Sequence, residues 1–175
     1  TLAALAARPE DRYERTNLLP APERWRLLEE WNDQAIEYAR EKHFHHLFEE
    51  QAAGTPTTVA VVCGDERLNY GELNARSNRL ARHLRRLGVG PESTVAMCLD
   101  RSVDMMVALF GILKAGAAYV PLDPAQPYTR LEFMIADSRA RVVVTHQDLL
   151  ERLPAHAGIT VCLDSEWPAI AQHES

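Results

Sequence analysis

The stretch from Ser102 to Asp123, SVDMMVALFGILKAGAAYVPLD, constrains the fold more than any other part of the chain. From Val103 to Leu113 apolar residues fall on almost every side. A helix with no polar face is covered on more than one side. Ser102 is placed to cap it, and Asp104 sits in the first turn, where the helix dipole favours an anion. Lys114 falls in the last turn, where a cation complements the dipole. Gly116 offers the left-handed residue that stops a helix. Ala117 to Val120 then reads as a strand, and Pro121, with no amide to donate, is expected to end it. The preceding run, Thr94 to Leu99, is apolar on both alternating faces, as in a strand inside a parallel sheet. Strand, buried helix and strand predict a right-handed βαβ unit.

The pattern continues on both sides. Pro124 and Pro127 lead into a helix with Leu131, Met134 and Ile135 inward. Arg141 to Thr145 reads as a strand, Gln147 to Leu153 as a helix and Ile159 to Leu163 as another strand. Upstream, Val59–Cys63 and Arg67–Asn69 flank Gly64-Asp65, a hairpin signal. Asn69 is expected to cap a helix, with Glu72 as its capping-box partner. That helix should bury Leu73, Ser77, Leu80, Leu84 and Leu87 and end at Gly88. Its arginines, Arg76, Arg79, Arg82, Arg85 and Arg86, read as a solvated face. A second helix, His43 to Ala53, is expected to turn Phe44, Leu47 and Phe48 inward. Strands alternating with helices define an α/β fold.

Residues 1–42 have a different composition. Thr1 to Ala7 resembles the last turns of a helix belonging to a preceding domain, and Arg8 to Leu19 is charged and Pro-punctuated, as linkers are. Pro22 can open a helix at its first position. Trp25, Leu28 and Trp31 then fall on one face of a short amphipathic helix, too short to stand alone. We therefore divide the chain into a linker segment, 1–42, and a folded segment, 43–175.

The 175-residue length allows one ordinary domain or a piece of a larger one, and both ends have the look of cuts. A net charge of −6 argues against nucleic-acid and anionic-membrane partners. No apolar run reaches membrane-spanning length and no secretory signal is recognisable. With Cys63, Cys98 and Cys162 odd in number and set in apolar runs, a reduced, cytoplasmic setting is expected.

Two motifs carry a resemblance. Leu113-Lys114-Ala115-Gly116-Ala117-Ala118-Tyr119-Val120-Pro121-Leu122-Asp123 resembles, at every position, the second core motif of nonribosomal peptide synthetase adenylation domains, LKAGxAYVPLD. Leu68-Asn69-Tyr70-Gly71-Glu72-Leu73 is similar to the first core motif, with Asn69 in place of the usual Thr or Ser, a mild exchange of one good cap for another. The resemblance covers Lys42 to Val161, and PERWRLLEEWN is similar to the connector that follows a condensation domain. It implies the N-terminal part of the adenylate-forming fold: a partial parallel sheet flanked by helices behind a helical linker. It also implies a parent that activates an amino acid with ATP and Mg²⁺, releases pyrophosphate and passes the acyl group to a carrier-protein phosphopantetheine thiol. An upstream condensation domain and the downstream remainder of the adenylation and carrier domains are the implied partners.

The groups that such chemistry needs are missing from this sequence. No Ser/Thr/Gly-rich loop ending in Pro-Lys-Gly occurs, and no GK[ST]; Gly88-Val89-Gly90 is followed by Pro91, which removes a donor amide. His43, His45 and His46 invite a metal reading, but adjacent helical residues diverge and no further ligand completes a set. His45-His46 is not the condensation motif HHxxxDG, because Glu50 and Gln51 stand where Asp and Gly belong. Asp123 reads as a turn opener before proline and Glu72 as a cap. We therefore expect no catalytic, cofactor-binding or metal-binding residue here, a chain inert by itself, and a phosphate loop encoded beyond Ser175. Two other readings stay open: a non-catalytic docking platform for a condensation domain, and a piece of an acyl-CoA synthetase relative, against which LKAGxAYVPLD argues. The apolar helix needs covering on two sides, so we also expect the separated chain to be aggregation-prone or molten.

Overall fold

A computed structural model of the chain describes residue 6, residues 19–34 and residues 41–174. The readings made on residues 1–5 and 7–18 lie outside the described residues. The chain divides into two units, Thr1–Glu41 and Lys42–Ser175.

In the first unit, helix α1 spans Ala21–Leu28, with Pro20 as its N-cap residue and Pro22 one place further into the first turn than expected. The helix ends at Leu28, and Glu30–Asn32 forms a separate 3₁₀ turn that carries Trp31. Asn32 closes the helix end by donating from Nδ2 to the Leu27 carbonyl at 2.7 Å. That bond satisfies a carbonyl that the short helix leaves open.

In the second unit, α2 spans Phe44–Gly54, and β1 (Val59–Cys63) and β2 (Glu66–Asn69) form an antiparallel hairpin around Gly64-Asp65. Gly64 has φ 59°, the left-handed geometry such a tight turn needs. Helix α3, Tyr70–Arg86, opens on a complete capping box: the Glu72 amide donates to Asn69 Oδ1 at 2.7 Å, and the Asn69 amide donates to Glu72 Oε2 at 3.0 Å. β3 (Thr94–Cys98), α4 (Val103–Ala115) and β4 (Ala118–Leu122) form the βαβ unit. The Met105 amide donates to Ser102 Oγ at 3.2 Å, and Gly116 ends α4 at φ 90°. α5 (Tyr128–Ser138), β5 (Val142–Thr145), a 3₁₀ helix at Gln147–Arg152, β6 (Ile159–Cys162) and α6 (Trp167–Ile170) complete the unit.

The four parallel strands run in the order β4-β3-β5-β6. Side chains alternate across them, as the period of two requires. Val95, Met97, Val142, Val144 and Val161 join the core under α3 and α4, while Ala96, Cys98 and Val143 face Leu131 and Ile135 of α5. The sheet is therefore covered on both faces, as expected of an α/β fold.

Several expectations are corrected. Pro121 lies inside β4, in register with Met97, and does not end it. β4 is an edge strand, and an edge has a side on which no amide donor is required. Phe44 and Leu47 are exposed, and of α2's inward set only Phe48 is buried, stacked on Phe110 at a ring separation of 3.9 Å. Gln147 to Arg152 is a 3₁₀ helix rather than an α-helix. The arginines of α3 are not simply solvated. Arg76 approaches Asp104 and lies over the Trp167 ring, and Arg85 donates to the Lys114 carbonyl.

Candidate functional site

The carboxyl ends of all four parallel strands lie on one rim of the sheet. Open α/β sheets bind ligands there, because the loops diverge where the strand order reverses. The β3–β4 end of this rim holds a cleft of about 560 Å³ lined by Met97, Leu99, Asp100, Arg101, Met105, Leu122 and Asp123, with Pro121 and Pro124. Asp123 is tied down by its own turn, its Oδ1 accepting from the Ala125 amide at 2.9 Å. On the β5 side, His146 Nε2 stands 3.3 Å from Asp104 Oδ2, and Arg76 stands 3.7 Å from Asp104 Oδ1. The Asp104 carboxylate raises the His146 pKa above its ordinary value, and partial burial opposes it. The approach falls outside hydrogen-bond alignment.

Asp164, at the end of β6, is bound by backbone amides: Gln147 donates to both its oxygens at 3.1 Å, and Ser165 donates at 2.9 Å. Desolvation is the largest influence on its pKa and pushes it up, but these donors together hold the carboxyl below its ordinary value. Cys98 and Cys162 also lie on these strands, but neither is an activated thiol. Burial pushes Cys98 up to about 11, and it pushes Cys162 up as well. Nucleophilic cysteines need the reverse shift.

The sequence has two lysines, Lys42 and Lys114. Lys42 Nζ is paired with Glu50 at 2.5 Å on the surface of α2. The Lys114 side chain is only 4% exposed, and its Nζ donates to Glu49 Oε1 at 2.8 Å, to Asn78 Oδ1 at 2.7 Å and to Asn74 Oδ1. An ammonium has three donors, and here all three are taken. Lys114 is a clamp between α2, α3 and α4 rather than a free cation. Sequence reasoning placed it in the last turn of α4 and missed the clamp. The available signal was Asn74 and Asn78, four apart on one face of α3.

Glu72 is a cap and Asp123 a turn, as the sequence indicated. No group of three or more His, Cys, Asp or Glu side chains able to hold a metal forms among the described residues. Fold and rim together define an α/β domain with a parallel sheet covered on both faces and a crevice at the carboxyl ends of its strands.

Residues 48–174 match the AMP-binding enzyme family, and the chain belongs to that family. It is 45% identical over 170 residues to one of the proteins that make up the linear gramicidin synthase of Brevibacillus parabrevis, a match covering 97% of this chain and 3% of that protein. To gramicidin S synthase 2 of Brevibacillus brevis it is 43% identical over 166 residues, covering 95% of this chain and 4% of the relative. Among solved structures, the nonribosomal peptide synthetase FmoA3 superposes with a TM-score of 0.79 at 29% identity, over 87% of this chain and 16% of that one. The N-terminal subdomain of Klebsiella oxytoca NpsA superposes with a TM-score of 0.69 at 22% identity, over 77% of this chain and 34% of that one, and shows the shared fold. The chain thus spans a few hundredths of the length of these curated relatives and about a third of the NpsA subdomain.

Proposed function

We propose that this chain is the N-terminal part of a nonribosomal peptide synthetase adenylation domain, preceded in residues 1–42 by the linker from a condensation domain. The parent is an AMP-forming ligase that activates an amino acid with ATP and transfers it to a carrier-domain phosphopantetheine thiol, in the cytoplasm. The carrying observation is the 97% coverage of this chain by a linear gramicidin synthase protein at 45% identity, across the intact LKAGAAYVPLD motif. The chain's own role is scaffolding. α4 and β4, which carry that motif, hold the rim of the sheet, and the catalytic, ATP- and Mg²⁺-binding residues belong to the remainder of the parent. No chemical step is assigned to the described residues.

The test is amino-acid-dependent exchange of pyrophosphate into ATP. The parent polypeptide should exchange, and the purified 175-residue chain should not. Exchange by the chain alone would overturn the scaffold assignment. A parent that makes acyl-CoA esters from fatty acids and ignores amino acids would overturn the synthetase reading.

A docking role is the second reading, favoured by α1, where Trp25 is 59% exposed beside an exposed Leu28. Co-purification of the chain with the upstream condensation domain, lost on Trp25→Ala, is its expected signature.

A further inference from the structure

We propose that His83 and His173 form a two-imidazole site for a divalent transition-metal ion of the Zn²⁺, Ni²⁺ or Cu²⁺ class. His83 lies near the end of α3, and His173 lies just beyond α6. The fold brings them together across 90 residues of sequence, with His83 Nδ1 and His173 Nε2 3.4 Å apart. Two imidazole nitrogens bound at about 2.0–2.1 Å and subtending a tetrahedral angle stand roughly 3.3–3.4 Å apart. The observed separation matches that spacing. Without metal the same contact holds one shared proton, donated by one ring to the lone pair of the other.

The surroundings support the assignment. A cleft of about 410 Å³, lined by His83, Arg86, Ala169, Gln172 and His173, opens beside the rings and has room for the waters that would complete a coordination shell. Arg86, in the same lining, repels a dication, so the site should favour the ions with the highest intrinsic affinity for imidazole, Cu²⁺ and Ni²⁺. Bound metal would fasten the residues after β6 onto α3, next to the Arg76–Trp167 contact and the Arg82 bond to the Glu174 carbonyl.

The competing site is the trio His43, His45 and His46, whose rings lie 4.3–5.7 Å apart at the start of α2. The experiment separates the two. Tag-free chain, H83Q, H173Q and the control H45Q/H46Q are titrated with Ni²⁺ and Cu²⁺ by calorimetry, with melting temperature read before and after EDTA. Loss of an outer-shell partner alone costs a metal site about 10–100-fold in affinity, so loss of one of two ligands should weaken binding at least about tenfold. The unmutated chain and the control should bind one equivalent and melt higher until EDTA is added, while H83Q and H173Q should not. Cu²⁺ electron paramagnetic resonance of the control protein gives a readout that needs no His83 variant, with coupling to two nitrogens expected. Absence of binding, binding unchanged in H83Q and H173Q, binding lost only in H45Q/H46Q, or coupling to a single nitrogen would overturn the proposal.

Discussion

His146 shows how one residue reports on the rim of the sheet. Its imidazole faces Asp104 at 3.3 Å, and the same carboxylate is shared with Arg76. A raised histidine pKa stabilises the fold below the unfolded value, near 6.5, and that contribution is lost as pH rises through the folded value. His146→Gln should therefore destabilise the chain more at about pH 5.5 than at about pH 8.5, with a difference below about 1 kcal/mol because the pair is partly exposed. Urea melts of both proteins at both pH values measure it. His83 and His173 titrate alike in the two proteins and cancel. An equal cost at both pH values would mean that the pair contributes nothing through charge. Lys114 gives a second lesson at this scale. Burial lowers its pKa and the Glu49 contact raises it, leaving it below the ordinary lysine value. Its position in a helix was plain from sequence, whereas Glu49, Asn74 and Asn78 converge on it only through the packing of three helices.

Between elements, α3 and α4 approach each other tightly. Gly111, midway along α4, faces Leu80 of α3, and a Cβ built there would stand 2.8 Å from Leu80 Cδ2. Leu80 is fully buried, so it has little freedom to yield. Gly111→Ala gains up to about 1 kcal/mol in helix propensity, but overpacking of this kind costs about 1–3 kcal/mol. We expect net destabilisation by guanidinium melts. In a double-mutant cycle, that penalty should shrink in the Leu80→Ala background, since the two residues touch. A neutral or stabilising Gly111→Ala would show that the helices can separate at no cost. Glycine inside an apolar helix was visible in the sequence, but the leucine across from it was not.

At the scale of the whole second unit, the coverage of α4 alters one expectation. The sequence demanded that this helix be covered on two sides, and a molten separated chain was expected to follow. In the structure α3 and the sheet lie against α4, and the rings of Phe44 and Phe48 stack on its Phe110. The demand is met within residues 42–174. The apolar side chains left exposed there, Phe44, Leu47, Val59, Val62, Phe133 and Ile159 among them, belong to α2, the hairpin, α5 and β6 rather than to α4. We therefore expect the purified chain to unfold cooperatively in urea, with coincident curves from far-UV circular dichroism and tryptophan fluorescence of Trp167 in a variant lacking Trp25 and Trp31. Non-coincident curves with strong binding of a hydrophobic dye would restore the molten description.

What the sequence determined by itself is local or periodic. The Asn69–Glu72 capping box, the Ser102 cap, the Gly116 stop and the Gly64-Asp65 turn each depend on residues within a few positions of one another, so reading them in line is enough. The alternation of strands and helices, and with it the α/β class, follows from periodicity in the same way. The strand order β4-β3-β5-β6 was decided only in three dimensions, and it makes β4 an edge that tolerates Pro121. The Lys114 clamp, the Asp104–His146 approach and the meeting of His83 with His173 are also tertiary, because each joins residues about 40 to 90 positions apart. No periodicity carries information over such separations; they are fixed when apolar faces pack and bring polar side chains together.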